Sequence, residues 1–540
     1  MTLVSHYPFA NFRPHIEDAL ADAEAAFKSG KKFVMINVPT GGGKSAISVA
    51  FARHFKCAIL TPTKLLQNQY ADTKEFNSEY TIFGKSNYRC GLKAFKHLTV
   101  DQAICCSNAA TKEYSEMTDW EKELKSDRSP GSLLRSKCTH AGICEYYKLI
   151  SSIPIKHSPI VNYDLFFHLK RTPLNPRDGT DFGESIAFDE AHHLMSKARS
   201  VFGYKISEPA VEKLLGKDAV RRKNESPSQW LARHVLLSSE TLKRESDLKA
   251  APDLYKFYIN ASFISQFDIE DVNKFFIDDK GSEVDIKPVN FKYLKNIIFF
   301  PFKRILLLSA TFPKNFCEIF NISEDEIEII DVPSSFPKEN RPFLFIRDLP
   351  TLNYKTELSV THPTILALKS ILKNHSEDKG IIHCSNYAFF RQLQRIFKED
   401  KRFIWVEQGQ DKSKLLAKHT SAKCASVLVS AAMLEGVDLK DDLARFQVMV
   451  KLPFPTLDDY TKRMMSIYSN YYDNEVATSI MQAYGRAVRS EQDHATFYVI
   501  DGAFSRFSGR KDLLSKYCLE SYKSITTRDL DKINVERGLK

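Results

Sequence analysis

The stretch NVPTGGGKS, Asn37 to Ser45, limits the possible folds most sharply. It follows an apolar run, KFVMINV, and precedes a helix-like segment, SAISVAFARHF. Consecutive glycines permit positive φ angles and let backbone N–H groups come close to a ligand. A helix that starts straight after them adds the positive end of its dipole, so the turn suits an anion. Thr40, Gly41, Gly42 and Gly43 would form the cradle, Lys44 would reach β- and γ-phosphates, and the Ser45 hydroxyl would ligate Mg²⁺. The strict pattern places a further glycine six residues before the lysine, where this chain has Val38. The rest of the sequence must therefore carry the nucleotide reading.

Composition sets wide bounds. The 540 residues, 43% of them hydrophobic, allow several packed domains of ordinary size. The formal charge of +10 fits a polyanionic partner but is common without one. The longest apolar stretch, IIFFPFKRILLLSATF, is broken by Pro301, Lys303 and Arg304, and falls short of the ~20 apolar residues a membrane helix needs. The N-terminus lacks a basic segment followed by an apolar one, so a cytoplasmic location is expected. Five of the ten cysteines (Cys90, Cys105, Cys106, Cys138 and Cys144) crowd into one segment, which in a reducing compartment points to metal or cluster ligation.

Two regions alternate short apolar strands with helical stretches, the pattern of parallel α/β domains. The first holds KFVMINV, KCAILTPT, ESIAFDEAHH and KRILLLSATF, and the second GIIHCS, SVLVSAAML, FQVMVKLPFP and ATFYVIDGAF. The cysteine segment and a charged, helix-like segment read as insertions in the first. PSSFPKENRPFLF, from Pro333 onward, reads as the linker between the two regions.

FDEAHH ends an apolar strand with two adjacent carboxylates. Phosphoryl transfer to water needs one carboxylate for Mg²⁺ and a group that orients the attacking water; Asp189 suits the first role and Glu190 the second. The plainer alternative is an acidic helix start. In QAYGRAVRS, Arg486 and Arg489 stand three apart, on one face of an expected helix, with Gln482 four residues before Arg486. An arginine supplied from a second domain would stabilise transition-state charge on the γ-phosphate. A solvated basic helix face is the plainer alternative here.

The order TPT (61–63), DEAH (189–192), SAT (309–311), EGVD (435–438) and QAYGRAVR (482–489) resembles a superfamily 2 helicase, and within that group the XPD/DinG family of iron–sulfur helicases. The resemblance covers most of the chain, and its compact length suits a bacterial or phage-encoded DinG-like member. It implies an α/β fold of two RecA-like parallel-sheet motor domains, the first built from 1–85, 161–199 and 298–335 and the second from 336–540. It also implies an iron–sulfur insert at 86–160 and a helical arch-like insert at 200–297. ATP and Mg²⁺ follow as cofactors, with Arg13 near the base and Asp438 facing the cleft from the second domain. A [4Fe–4S] cluster would be held by Cys90, Cys138, Cys144 and either Cys105 or Cys106, Cys105 being favoured by the preceding VDQAI. A zinc site on four of these thiolates, or on three with His97 or His140, is the competing reading. The implied activity is 5′→3′ movement of a monomer on single-stranded DNA and opening of tailed or forked duplex, with no membrane partner. An RNA-directed remodelling ATPase with structural zinc, and a nucleotide-switched binding module without unwinding, are the alternatives.

Overall fold

Short apolar runs buried on both faces are what a parallel sheet requires, and this chain forms two such sheets. A computed structural model describes residues 2–76, 80–89, 99, 145–151, 153, 158–171, 182–244, 251–431, 439, 441–486, 488, 490–530 and 532. Cys90, Cys105, Cys106, Cys138, Cys144, Glu435, Gly436, Asp438 and Arg489 lie outside the described residues.

Strands β1 (Phe33–Asn37), β2 (Ala58–Thr61), β3 (Thr81–Ile82), β4 (Ile160–Asn162) and β5 (Ser185–Asp189) open the first region. A separate antiparallel sheet follows, made of β6 (Tyr204–Ser207), β7 (Phe275–Asp279) and β8 (Glu283–Pro288). Then β9 (Arg304–Ser309) and β10 (Ile327–Asp331) return to the first sheet, whose order is β10-β1-β9-β5-β2-β4-β3, parallel throughout. The second sheet collects β11 (Phe343–Ile346), β12 (Gly380–His383), β13 (Phe403–Val406), β14 (Val427–Ser430), β15 (Phe446–Met449), β16 (Thr496–Val499) and β17 (Tyr522–Ile525). Its order is β13-β14-β12-β15-β16-β11-β17, again all parallel.

Register explains where the chemistry goes. β1, β9 and β5 are neighbours, with Asn37 opposite Ser309 and Asp189 opposite Leu308. The glycine-rich turn, the SAT segment and the DEAH segment therefore leave the sheet at the same C-terminal edge, where open α/β sheets bind ligands.

Two expectations need correction. The segment after Ser200 is not purely helical: helices Pro227–Arg244 and Ala251–Ile264 are joined by β6, β7 and β8. The alternation of buried and half-buried residues along EVDIKP, and Gly281 at φ 79° in the turn before it, carry that hairpin. Likewise FLFI, expected in the linker, is the buried strand β11 inside the second sheet. The insert also leans on the second region, since the Tyr460 hydroxyl donates to the Pro288 carbonyl (2.9 Å) and the Phe291 N–H donates to the Tyr468 hydroxyl (3.2 Å).

His234 sits in the insert core, 0% exposed, with ring neighbours Trp230 at 4.9 Å and Phe257 at 5.3 Å. Burial pulls its pKa down to about 4, so the folded chain keeps it neutral while the unfolded chain takes up a proton below the usual ~6.5. Its contribution is present above pH ~6.5 and is lost as pH falls towards 4, amounting to about 3 kcal/mol. His234→Phe should therefore flatten the fall in melting temperature between pH 6.5 and 4. An unchanged slope would show that the buried ring is not what acid attacks.

Candidate nucleotide site between the two sheets

The glycine-rich turn is shaped as a cradle. Gly41 and Gly43 have φ of 80° and 107°, angles that side chains resist. A Cβ on Gly42 would stand 2.8 Å from the Pro39 carbonyl oxygen. The helix Lys44–Phe55 begins at once, so its free N–H groups face the turn.

Around this cradle lies a cavity of about 580 Å³. Thr40, Gly41, Gly43, Lys44, Ser45, Asp189 and Glu190 line it from the first region, and Gln482 and Arg486 line it from the second. Lys44 Nζ stands 3.3 Å from Glu190 Oε1. Arg13 also lines it and packs against the cradle, its Cδ 3.5 Å from where a Gly43 Cβ would be. The two regions meet tightly here, for a Cβ on Gly485 would lie 2.6 Å from Thr40 Oγ1. Arg486 is not on a helix face as expected. The helix Tyr471–Tyr484 stops at Gly485, and Arg486 leaves from the turn beyond it, 8% exposed.

Sequence reading missed the groups that hold the carboxylates. Asp189 is 1% exposed, and burial first, then the Glu190 charge, push its carboxyl well above the usual carboxylate range. The Tyr70 hydroxyl donates to Asp189 Oδ2 (2.8 Å) and the Tyr163 hydroxyl donates to the Asp189 carbonyl (2.8 Å). Glu190 takes a left-handed φ of 53°, a strained angle that turns its side chain off the strand line. His192 Nδ1 lies 2.7 Å from Ser309 Oγ and 3.4 Å from Glu190 Oε2, and Ser309 Oγ accepts from the Thr311 N–H (3.0 Å). Burial, helped by the nearby His193, holds the His192 ring neutral. A polar chain thus runs from the DEAH segment to the SAT segment.

The donors suit Mg²⁺, a hard cation that prefers hydroxyl and carboxylate oxygens: Ser45 and Asp189 line the same cavity, and a buried carboxylate there calls for a cation. Among the described residues no group of three or more His, Cys, Asp or Glu side chains could hold a metal by itself.

Two family models match the chain. Residues 9–216 match "Type III restriction enzyme, res subunit" and residues 368–518 match "Helicase C-terminal domain". "ATP-dependent DNA helicase XPD" of Sulfolobus acidocaldarius is 22% identical, over 89% of this chain and 94% of its own length. A solved XPD helicase structure superposes with a TM-score of 0.61 at 17% identity, covering 96% of this chain and 100% of that one. The chain is thus similar along most of its length to XPD/DinG-like superfamily 2 helicases and carries a helicase C-terminal domain. Other relatives are matched only in part. "ATP-dependent DNA helicase YoaA" of Haemophilus influenzae is 22% identical over 42% of the chain and 36% of its own length. For "ATP-dependent DNA helicase chl-1" of Caenorhabditis elegans, 24% identical, the match spans 35% of the chain and a quarter (25%) of that protein.

Tyr70 offers a clean test. Its O–H favours the ionised form of Asp189, and a hydrogen bond to a charged group contributes about 1.5–3 kcal/mol. Tyr70→Phe should weaken Mn²⁺ binding to the nucleotide-bound protein, read by electron paramagnetic resonance, by about tenfold or more. The Mg²⁺ needed for half-maximal hydrolysis should rise in parallel. Unchanged Mn²⁺ affinity would show that the phenol only packs.

Proposed function

We propose that this protein is an ATP-dependent DNA helicase that moves 5′→3′ on single-stranded DNA and opens tailed or forked duplex, acting as a monomer. The observation that carries this reading is the single cavity to which one sheet brings Lys44, Asp189 and Glu190 and the other brings Gln482 and Arg486. Thr40, Gly41, Gly42, Gly43 and Lys44 cradle the phosphates, and Arg13 lies on the base side. Ser45 and Asp189 hold Mg²⁺, which when bound neutralises phosphate charge and orients the γ-phosphoryl group. Glu190 orients the attacking water and accepts its proton, while Arg486, with Arg489, balances charge that grows on the phosphoryl oxygens. Gln482 completes the second wall, and the family resemblance gives Asp438 a part in nucleotide binding. His192, Ser309 and Thr311 carry the state of the γ-phosphate into the joint between the regions.

Loss of the γ-phosphate removes the charge that bridges Lys44 and Arg486, so the two lobes separate and close once per turnover. With a single strand held by both lobes through phosphate contacts and stacked bases, each cycle becomes a step. The two sheets are the cores of the motor domains proposed at 1–85, 161–199 and 298–335 and at 336–540, with β4 starting one residue earlier, at Ile160. Residues 200–297 form the arch-like insert, and 86–160 carry a [4Fe–4S] cluster on Cys90, Cys105, Cys138 and Cys144. The reading of the cluster is supported by the cysteine spacing and the family.

Strand displacement on 5′-tailed and 3′-tailed duplexes, with anaerobically purified protein, tests the proposal. ATP-dependent displacement of the 5′-tailed substrate, with about four iron atoms per chain, is expected. Hydrolysis stimulated by single strands without displacement from either tail would overturn the helicase reading. A colourless, zinc-loaded protein would overturn the cluster.

A further inference from the structure

A second cavity, about 390 Å³, adjoins the nucleotide cavity and draws its walls from both regions. Asn37, Phe312 and Val332 come from the first; Met481, Lys516 and Tyr517 come from the second. Its size and its position between domains are those of small-molecule sites.

The two cavities are physically joined. Ala310 and Thr311 line both, and on the helix Tyr471–Tyr484 adjacent residues divide between them, Met481 facing this cavity and Gln482 the nucleotide cavity. Thr311 is 5% exposed, and its Oγ1 has no hydrogen-bond partner within the protein. A buried hydroxyl left in this state asks for a ligand atom.

Charge decides the class of ligand. Of the two carboxylates on the wall, Glu520 is paired with Arg341, whereas Asp331 accepts from the neutral Asn37 Nδ2 at 2.6 Å and keeps its charge, so two lysines outweigh one carboxylate. The two lysines, Lys314 and Lys516, carry no ion pair among the described residues. The wall between them is aromatic, with Phe312, Phe316 and Tyr517.

We infer that this joint cavity binds a flat aromatic anion, its ring among Phe312, Phe316 and Tyr517 and its charge towards Lys314 and Lys516, and that its occupancy is coupled to that of the nucleotide cavity. Because the walls belong to two bodies, a ligand that fits one spacing of the lobes favours that spacing and changes nucleotide affinity. The coupling, though not the binding, rests on the nucleotide reading above.

The probe is 8-anilinonaphthalene-1-sulfonate, followed by its fluorescence. Saturable one-site binding is expected, weakened at least about tenfold by Lys314→Glu/Lys516→Glu. Both lysines are exposed, so folding is not at stake. Binding should survive in Lys44→Ala. Saturating probe should change the affinity for a fluorescent ADP analogue by about threefold or more, and ADP should change probe affinity by the same factor. Non-saturable binding, or binding indifferent to the charge reversal, overturns the site. Competitive displacement by ADP, together with loss of probe binding in Lys44→Ala, also overturns it by assigning the probe to the nucleotide cavity. Probe binding intact in a protein that binds no ADP overturns the coupling through failure of the nucleotide reading and leaves the aromatic-anion site standing.

Discussion

Lys44→Ala is expected to lower ATP turnover by at least about 10²–10³-fold while single-strand binding stays measurable. Lys44 is 8% exposed at the first position of its helix, beside the cradle and 3.3 Å from Glu190. Removing the ammonium takes away the charge that offsets the phosphates. It also leaves Glu190 facing them uncompensated, so like charges then meet in a partly dry cavity. The fold should persist, because the side chain lines a cavity and fills no part of the core. Normal turnover by the purified variant would refute the phosphate role of the glycine-rich turn.

Arg486→Ala should cost turnover by about 10³-fold or more, with ADP affinity within a few-fold of the parent. The asymmetry follows from what the guanidinium is asked to do: balance charge that appears as the phosphoryl group transfers, more than bind the ground state. Its charge already reaches both sides of the joint, helping to hold down the pKa of His192 in the first region and of His383 in the second. Arg486→Lys should rescue little, since a point charge lacks the planar fork. Single-turnover hydrolysis beside equilibrium ADP binding separates the two effects. Equal losses in both would make Arg486 a ground-state binding residue.

What the sequence made legible were local groups at strand ends. NVPTGGGKS and FDEAHH each hold their polar groups within a few residues, next to a strand that is itself a plain apolar run, so their shared position at the sheet edge could be read from the sequence. Arg486 was legible as a residue but not as a geometry: the helical spacing of RAVR suggested a helix face, whereas Gly485 ends the helix and packs against Thr40. Tyr70 and Tyr163 were not legible at all. Their partner, Asp189, is 119 and 26 residues away, and an isolated tyrosine in an apolar setting looks like core until its hydroxyl finds an acceptor. FLFI and the β7–β8 hairpin were lost for a related reason. Short apolar or alternating segments beside Pro and Gly read equally well as connections until a neighbouring strand pairs with them.

In the proposed mechanism, cleavage of one triphosphate, held between two lobes, drives stepping along a strand. Stopped-flow translocation measures this directly, using single strands of increasing length with a fluorophore at one end. An arrival lag that grows linearly with length, requires ATP and vanishes in Lys44→Ala is the predicted result. Steady hydrolysis with an arrival time independent of strand length would contradict it.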